Sequence, residues 1–311
     1  MTPSTPVPSR RAASLTSAAD NVFRNVIIAL ASIVLIATGL YGFVLILGGL
    51  PAFQKEGLGF LFGLNWDPGR GIYQALPFIA GTFFTALGAL IIAVPLSVAA
   101  ALFISEYAPR WLAAPVGTAI ELLAAIPSVV YGLWGIFVLI PAVRSFQQWF
   151  VELTGVPWLP TGTGLMSAVL VLAVMVIPFI CAIARDVITL VPNDQREAAY
   201  ALGATKWEVI RFGILPYARA GILGGVILGL GRAIGETLAV TMVIGNANRI
   251  AATPFDSTAT MSSIIASNFG EANEQMRPAL IGIGFTLLVF SVIVNVIARV
   301  VITKLTPVGT R

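Results

Sequence analysis

Six stretches of this sequence, at about 25–50, 76–104, 117–140, 165–190, 219–245 and 278–302, run for twenty or more mostly apolar residues each. A bilayer core of roughly 30 Å is crossed by about 20 such residues in a helix. Only 10% of the residues are charged and 58% are hydrophobic. A soluble domain carries roughly 25% charged residues, so this chain cannot cover a water-facing surface of its size. The mean hydropathy of +0.93 agrees. Lipid is the solvent for most of the chain, and backbone satisfaction in lipid selects helices. The fold class expected is all-α and integral to the membrane, with six transmembrane helices. Pro95, Pro127 and Pro178 fall inside segments two, three and four and are expected as kinks rather than breaks.

Several chemistries are excluded at once. The sequence contains no histidine, which removes zinc-protease motifs, His general bases and Ser–His triads. Its one cysteine, Cys181, rules out an intrachain disulfide or a CxxC site and reads as a small packing residue. Lys55, Lys206 and Lys304 are the only lysines and none follows glycine, so there is no Gly-Lys-Ser/Thr phosphate loop. No catalytic residue, metal site or cofactor is expected on this chain, and nothing points to nucleic acid.

Orientation follows from the basic residues. With a cytoplasmic N-terminus, twelve of them fall inside: Arg10, Arg11, Arg24, Arg110, Arg185, Arg196, Lys206, Arg211, Arg219, Arg299, Lys304 and Arg311. Five fall outside: Lys55, Arg70, Arg144, Arg249 and Arg277. The positive-inside rule then places both termini in the cytoplasm of a multi-pass plasma (bacterial inner) membrane protein. Residues 1–21, rich in Pro, Ser, Thr and Ala, read as a disordered tail. Residues 22–305 form the membrane domain and 306–311 a short cytoplasmic tail. The stretches at about 51–75, 141–164 and 246–277 become outer loops, with Trp149 and Trp158 suited to an interfacial belt.

The largest inner loop, about 186–218, carries most of the charge. Asn193 or Asp194 can cap a helix that runs through Glu197, Ala198 and Ala199, and Gly203 suits its C-terminal stop. Thr205 followed three residues later by Glu208 fits a capping box for a second helix, with Pro216 ahead of the fifth span. Ala198, Ala199 and Ala201 would let another protein surface approach closely. On these grounds alone the loop is either a docking element or an amphipathic connector on the headgroups.

Arg232 lies thirteen residues beyond Arg219 in the fifth apolar stretch, about 20 Å along a helix. A central arginine costs about 2.5–3.5 kcal/mol on insertion scales. Glu236, at i+4, would share its helical face. The pair therefore either neutralises itself as a structural lock or has Arg232 facing a polar pathway for an anion, with Thr237 beside it. The glycines at 221, 224, 225, 229, 231 and 235 are expected to serve close helix packing. Glu121 reads as an interfacial residue near the inner start of span three. Ser128 reads as bonding back to a helix carbonyl. A place on the pathway is the other reading of both. Glu106 and Arg110 read as solvated charges that could touch a partner.

Two of these segments resemble a known family. Glu197-Ala198-Ala199, Gly203, Leu215 and Pro216 fit the EAA loop of ABC importer permeases, EAA-x3-G-x9-I-x-L-P. The departure is Gly213 at the family's Ile position, with Ile214 one residue late. The stretch from Gly231 to Asn246 resembles the phosphate-specific ABC importer permease of the PstC type, which carries Gly-Arg-Ala-x-Gly-Glu-Thr-x-Ala-Val-Thr. Glu121 to Gly132 and Trp207 to Ile210 are similar to it as well, and the similarity covers about 22–305. The sister PstA type shares the Arg–Gly-Glu-Thr pattern but usually not the residues that follow. The resemblance implies a type I ABC importer (MetI-like) permease fold and a coupling helix at about 193–210 that sits on an ATPase. Its implied function is inward phosphate translocation past Arg232, Glu236 and Thr237. It further implies a second permease subunit (PstA type), two ATP-binding subunits (PstB type) that hold the ATP and Mg, and an external phosphate-binding protein (PstS type). A permease for sulfate or molybdate, or the PstA-type sister subunit, is the alternative.

Overall fold

The computed structural model describes residues 10–156 and 158–305. Among them six helical stretches are long and apolar enough to cross a membrane: Asp20–Glu56, Leu76–Tyr107, Ser128–Thr154, Leu165–Thr189, Lys206–Gly235 and Met276–Ile302. The chain divides into residues 1–48 and 49–311 as two compact units. The described part of the first is a single helix, α1 (Arg10–Glu56), which continues into the second. Residues 10–21, expected within the N-terminal tail, belong to this helix. The rest of that tail, and the expected tail at 306–311, lie outside the described residues.

The second unit continues with a short helix α2 (Gly59–Phe62) and a two-stranded hairpin, β1 (Trp66–Asp67) and β2 (Ile72–Tyr73). Span two is α3 (Leu76–Leu102) closed by a π turn at Phe103–Tyr107. Helix α4 (Arg110–Ala125) follows, then α5 (Ser128–Trp134), a π turn and α6 (Ile140–Thr154), which together make span three. Span four is α7 (Leu165–Thr189). Beyond it stand α8 (Asn193–Ala201), α9 (Lys206–Glu208), a π turn at Val209–Ile214 and α10 (Leu215–Gly235). The chain closes with α11 (Leu238–Val243), α12 (Met261–Asn268) and span six, α13 (Met276–Leu305).

Two expected spans need correction. Span three begins at Ser128, not near 117, because Ile126 and Pro127 are both extended, with ψ 131° and 140°. Proline restricts the residue before it to extended backbone. Helix α4 is thereby cut off at 16 residues, about 24 Å, which is too short to cross. Pro127 is thus a break, while Pro95 and Pro178 lie inside continuous helices as expected. Span five runs from Lys206 to Gly235 rather than from 219 to 245. Pro216 sits in the first turn of α10, inside the span rather than ahead of it. Proline lacks an N–H and crowds the carbonyl one turn back; here the wider π turn immediately precedes it.

Helix α7 is the centre of the second unit. It packs on α3 through small residues, with Ala86, Ala89 and Ala93 all buried, and the Ser97 hydroxyl donates to the Ile177 carbonyl at 3.0 Å. It packs on α10 through a ridge of glycines. A Cβ built at Gly221, Gly225 or Gly229 would meet Val187, Ile183 or Ile180 at 2.5, 2.9 and 2.8 Å. These three glycines lie one turn apart and receive β-branched side chains of α7, so packing is their purpose. A Cβ at Gly224 meets nothing within 4 Å. Gly229→Leu should therefore destabilise the detergent-solubilised protein by about 1–3 kcal/mol through overpacking, read as a lower thermal-unfolding midpoint. Gly224→Ala should leave the midpoint unchanged or slightly raised.

Candidate translocation and coupling sites

The segment around Arg232 is shaped by a helix break. Helix α10 ends at Gly235, and Glu236 turns extended with ψ 127°. In a lipid-facing environment each freed backbone group needs a partner inside the protein. The neighbouring side chains provide them. The Thr237 hydroxyl donates to the Gly235 carbonyl at 3.3 Å and the Ser262 hydroxyl to the Glu236 carbonyl at 2.8 Å; the Thr237 carbonyl is held by the Thr241 N–H at 3.0 Å and accepts its hydroxyl as well. The Glu236 carboxylate accepts from the Ala239 N–H at 3.2 Å and so caps α11.

This geometry corrects the expected pairing. Glu236 is not on the helical face of Arg232, because the helix stops between them. Among the described residues no carboxylate lies within ion-pair distance of Arg232. Its Nε is buried without a hydrogen-bond partner. Its guanidinium carbon stands 5.7 Å from the centre of the Phe179 ring on α7. The Tyr131 phenol, which donates to the Leu123 carbonyl at 2.8 Å, is within its field. Arg232 is therefore a cation on a half-buried face of a span, with aromatic rings rather than an acid for company.

The stretch expected as an outer polar loop, 246–277, is instead folded against the bundle. Gly245 and Asn246 both take positive φ, at 88° and 51°, and the Asn246 amide donates to the Thr241 carbonyl at 2.9 Å. The chain then returns so that Asp256 and Pro254 carbonyls accept from Leu165 and Met166 at the start of α7. These are among the donors a helix N-terminus leaves without intrahelical partners. Thr258, Thr260, Ser262 and Ser263 are buried, and Thr260 forms a reciprocal capping box with Ser263 on α12. Ser262 is the residue that sequence reasoning missed. The available signal was a Thr-x-x-Ser spacing directly before the apolar Ile264 and Ile265.

On the other side of the bundle the inner loop forms the two predicted helices. Asn193 and Asp194 lie in the first turn of α8 and make no capping bond; Pro192 occupies the cap. Gly203, at φ 81°, ends the helix. Its N–H donates to the Tyr200 carbonyl and that of Ala204 to the Ala199 carbonyl, a Schellman turn that favours glycine at this position. The Thr205–Glu208 capping box is present. Glu197, Ala198 and Ala201 are exposed, and Ala199 is half-buried. Leu202 is 90% exposed and Trp207 58%, so the loop presents an apolar face. Leu215 packs on the inner apolar cluster and Pro216 is exposed. At Gly213, which departs from the motif, a Cβ would make only ordinary contact with the Gln195 carbonyl, at 3.6 Å, so the structure gives no steric reason for glycine there.

Among the described residues neither Glu121 nor Ser128 makes a hydrogen bond or ion pair with Arg232. Glu121, on α4, accepts from Arg185 of α7 at 2.6 Å, and Arg185 also reaches Asp186 at 2.9 Å. Its charge is accounted for by that pair, which helps hold α4 on α7. Ser128 opens α5 and has no helix behind it to bond to; it makes no hydrogen bond among the described residues. Glu106 is not a solvated charge. It pairs with Arg196 at 2.9 Å, and its side chain is only 13% exposed. Among the described residues no group of acidic, Cys or His side chains could hold a metal ion.

Residues 93–307 match the family described as binding-protein-dependent transport system inner membrane component. The chain is 45% identical over 296 residues to the phosphate transport system permease protein PstC of Xylella fastidiosa strain 9a5c, covering 92% of this chain and 91% of that one. It is 45% identical over 270 residues to the protein of the same name from Pasteurella multocida, covering 84% of each. Among solved structures it is similar to an inward-facing MetNI methionine ABC transporter, with a TM-score of 0.51 and 20% identity over 78% of this chain and 95% of that one. At that identity the likeness concerns the fold alone.

Proposed function

The chain belongs to the binding-protein-dependent transport inner membrane family and, within it, to the PstC-type phosphate transport permeases, and from that premise we propose that it forms half of the membrane pathway of an ATP-driven importer of inorganic phosphate. The observation that carries the proposal is Arg232: a guanidinium on a transmembrane helix, beside a helix break, with no carboxylate within ion-pair distance among the described residues. Intramembrane ionisable residues face a bundle interior or a water-filled cavity and pair there. A tetrahedral oxyanion suits the planar fork of donors that arginine offers. The Gly235–Glu236 break places the Thr237 hydroxyl close to Arg232 in the chain, bonded to the Gly235 carbonyl.

Residues 193–210 are the dock for an ATP-binding subunit. The exposed Leu202 and Trp207 side chains and the small Ala198 and Ala201 provide an apolar surface of low relief. Helix α9 runs through the π turn directly into α10, so a displacement of the dock is delivered along span five to Arg232. The remaining assembly is a PstA-type sister permease, two PstB-type subunits carrying ATP and Mg, and an external PstS-type binding protein. Both termini are cytoplasmic. ATP binding draws the docked loops together and opens the spans outward; hydrolysis returns them inward, a two-state element biased from a distant site. This chain supplies no ATP site of its own.

Two expected outcomes follow from these assignments. Ala201→Cys, in the assembled complex in sealed cells, should react with thiol reagents from the cytoplasmic side alone and crosslink to the ATP-binding subunit; labelling from outside would overturn the orientation and the dock together. Arg232→Gln should assemble normally and retain ATP hydrolysis, while phosphate uptake per assembled complex falls by at least about ten-fold, the equivalent of one charged hydrogen bond of about 1.5 kcal/mol or more. Arg232→Lys should keep part of the uptake. Because Glu236 caps α11 rather than pairing with Arg232, adding Glu236→Gln to Arg232→Gln should restore nothing. Recovery in that double variant would show that Arg232 is needed only as a partner for Glu236.

A further inference from the structure

Span two touches both functional regions, one at each end. Its inner end, the π turn at Phe103–Tyr107, is gripped twice by the coupling loop. Arg196 of α8 donates to the Glu106 carboxylate at 2.9 Å, and the two side chains are 19% and 13% exposed. The same guanidinium donates to the Ile188 carbonyl at 3.1 Å, to the Val191 carbonyl and to the Asn193 side chain at 3.3 Å. Independently, the Lys206 ammonium stands 4.3 Å from the centre of the Tyr107 ring. Ile104 is buried in one apolar cluster with Val191, Val209 and Ile210. The inner end of span two is thus held to both helices of the loop by charge, by cation–π contact and by packing.

The outer end is held as closely to the helix break. A Cβ at Gly81 would fall 2.1 Å from the Ala259 carbonyl, so at Gly81 span two lies directly against the returning loop. The Met261 N–H donates to the Thr82 hydroxyl at 2.9 Å. The next residue, Ser262, holds the Glu236 carbonyl. Between Thr82 and Glu106 runs one helical element of about 36 Å at 1.5 Å per residue, laid flush on α7 by Ala86, Ala89, Ala93 and the Ser97–Ile177 bond.

We propose that Glu106 and Arg196 are positioning residues for transport: their pair clamps the coupling loop to span two, so that movement of α8 is delivered through α3 to the Thr82, Met261 and Ser262 contacts that hold the Glu236 break. Span five then supplies one side of the break and span two the other, and the two rods move together only while the clamp holds. A coupling claim between distant sites needs an element that both sites bias; here that element is the break, reached along two helices from one loop. The inference rests on α8 being the dock for the ATP-binding subunit. ATP-coupled uptake by the unaltered complex, and crosslinking of α8 to that subunit, check that premise separately.

The test uses the whole complex in vesicles and reads phosphate uptake per ATP hydrolysed. Glu106→Gln should assemble and hydrolyse ATP, with the ratio lowered by about five-fold or more, the lower end of typical coupling factors. Glu106→Asp, which keeps the charge, should lose less. An unchanged ratio for Glu106→Gln, or uptake that falls only in step with the amount of complex, overturns the proposal. Should Glu106→Gln fail to assemble, a second measurement decides. Glu106→Cys with Arg196→Cys starts from a lowered ratio, and joining the two thiols with a short bis-thiosulfonate should raise it again by about five-fold. The native Cys181 is buried and does not compete. A link that abolishes the remaining uptake, or leaves the ratio where it was, contradicts a clamp that stays closed while the loop moves.

Discussion

Inside a bilayer every backbone N–H and carbonyl must find a partner within the protein, and the end of span five, where the chain turns extended at Glu236, is where this chain meets that demand in an unusual way. A straight helix would satisfy its own backbone and carry Arg232 and Glu236 on one face as a neutral pair. The helix instead stops at Gly235. The freed Gly235 and Glu236 carbonyls are taken by Thr237 and Ser262, and the Glu236 carboxylate is engaged at the N-terminus of α11. Arg232 has no carboxylate partner among the described residues as a result. The buried hydroxyls of the 258–263 stretch, the tight turn at Gly245 and Asn246, and the contact of Gly81 with Ala259 all serve to hold that arrangement in place.

Charge is arranged differently at the end of the bundle that carries α8. There Arg185 and Arg196 both find carboxylates, Glu121 and Glu106, on other elements. A Cβ at Gly117 would collide with the Arg185 guanidinium at 2.3 Å, so α4 leaves a path for that side chain. These pairs are partly shielded from water, and removing one partner of such a pair leaves the other charge costly. They fix the loops to the spans, whereas Arg232 has no carboxylate within ion-pair distance among the described residues.

Much of this was readable from the residues. Six spans follow from apolar length. Thr205 with Glu208, and Gly203 after Ala201, fixed the shape of the inner loop because caps are local chemistry. The glycines at 221, 224, 225, 229, 231 and 235 were readable as packing residues from their small size; that holds at 221, 225 and 229, where side chains of α7 fill the space, while a Cβ at 224 or 235 would meet nothing within 4 Å. Contacts between distant segments were not. Nothing local distinguishes Pro127, which breaks a helix, from Pro178, which does not; the outcome depends on whether neighbouring helices support the residue before it. The Glu106–Arg196 pair joins residues ninety positions apart. The folding of 246–277 against the bundle depends on α7 needing acceptors at its start. The i+4 spacing of Arg232 and Glu236 misled because it presumes an unbroken helix, and the glycine at 235 was the available warning.

The central claim is that a phosphate-selective, ATP-driven path passes the cation at Arg232. The most direct measurement is uptake of labelled phosphate into vesicles containing the assembled complex, with ATP supplied on the cytoplasmic side and the external binding protein present, in competition with unlabelled sulfate and molybdate. ATP-dependent accumulation that excess unlabelled phosphate suppresses and the other two oxyanions do not is the predicted result. Accumulation that proceeds without ATP, or that sulfate or molybdate suppresses as well as phosphate, would contradict it.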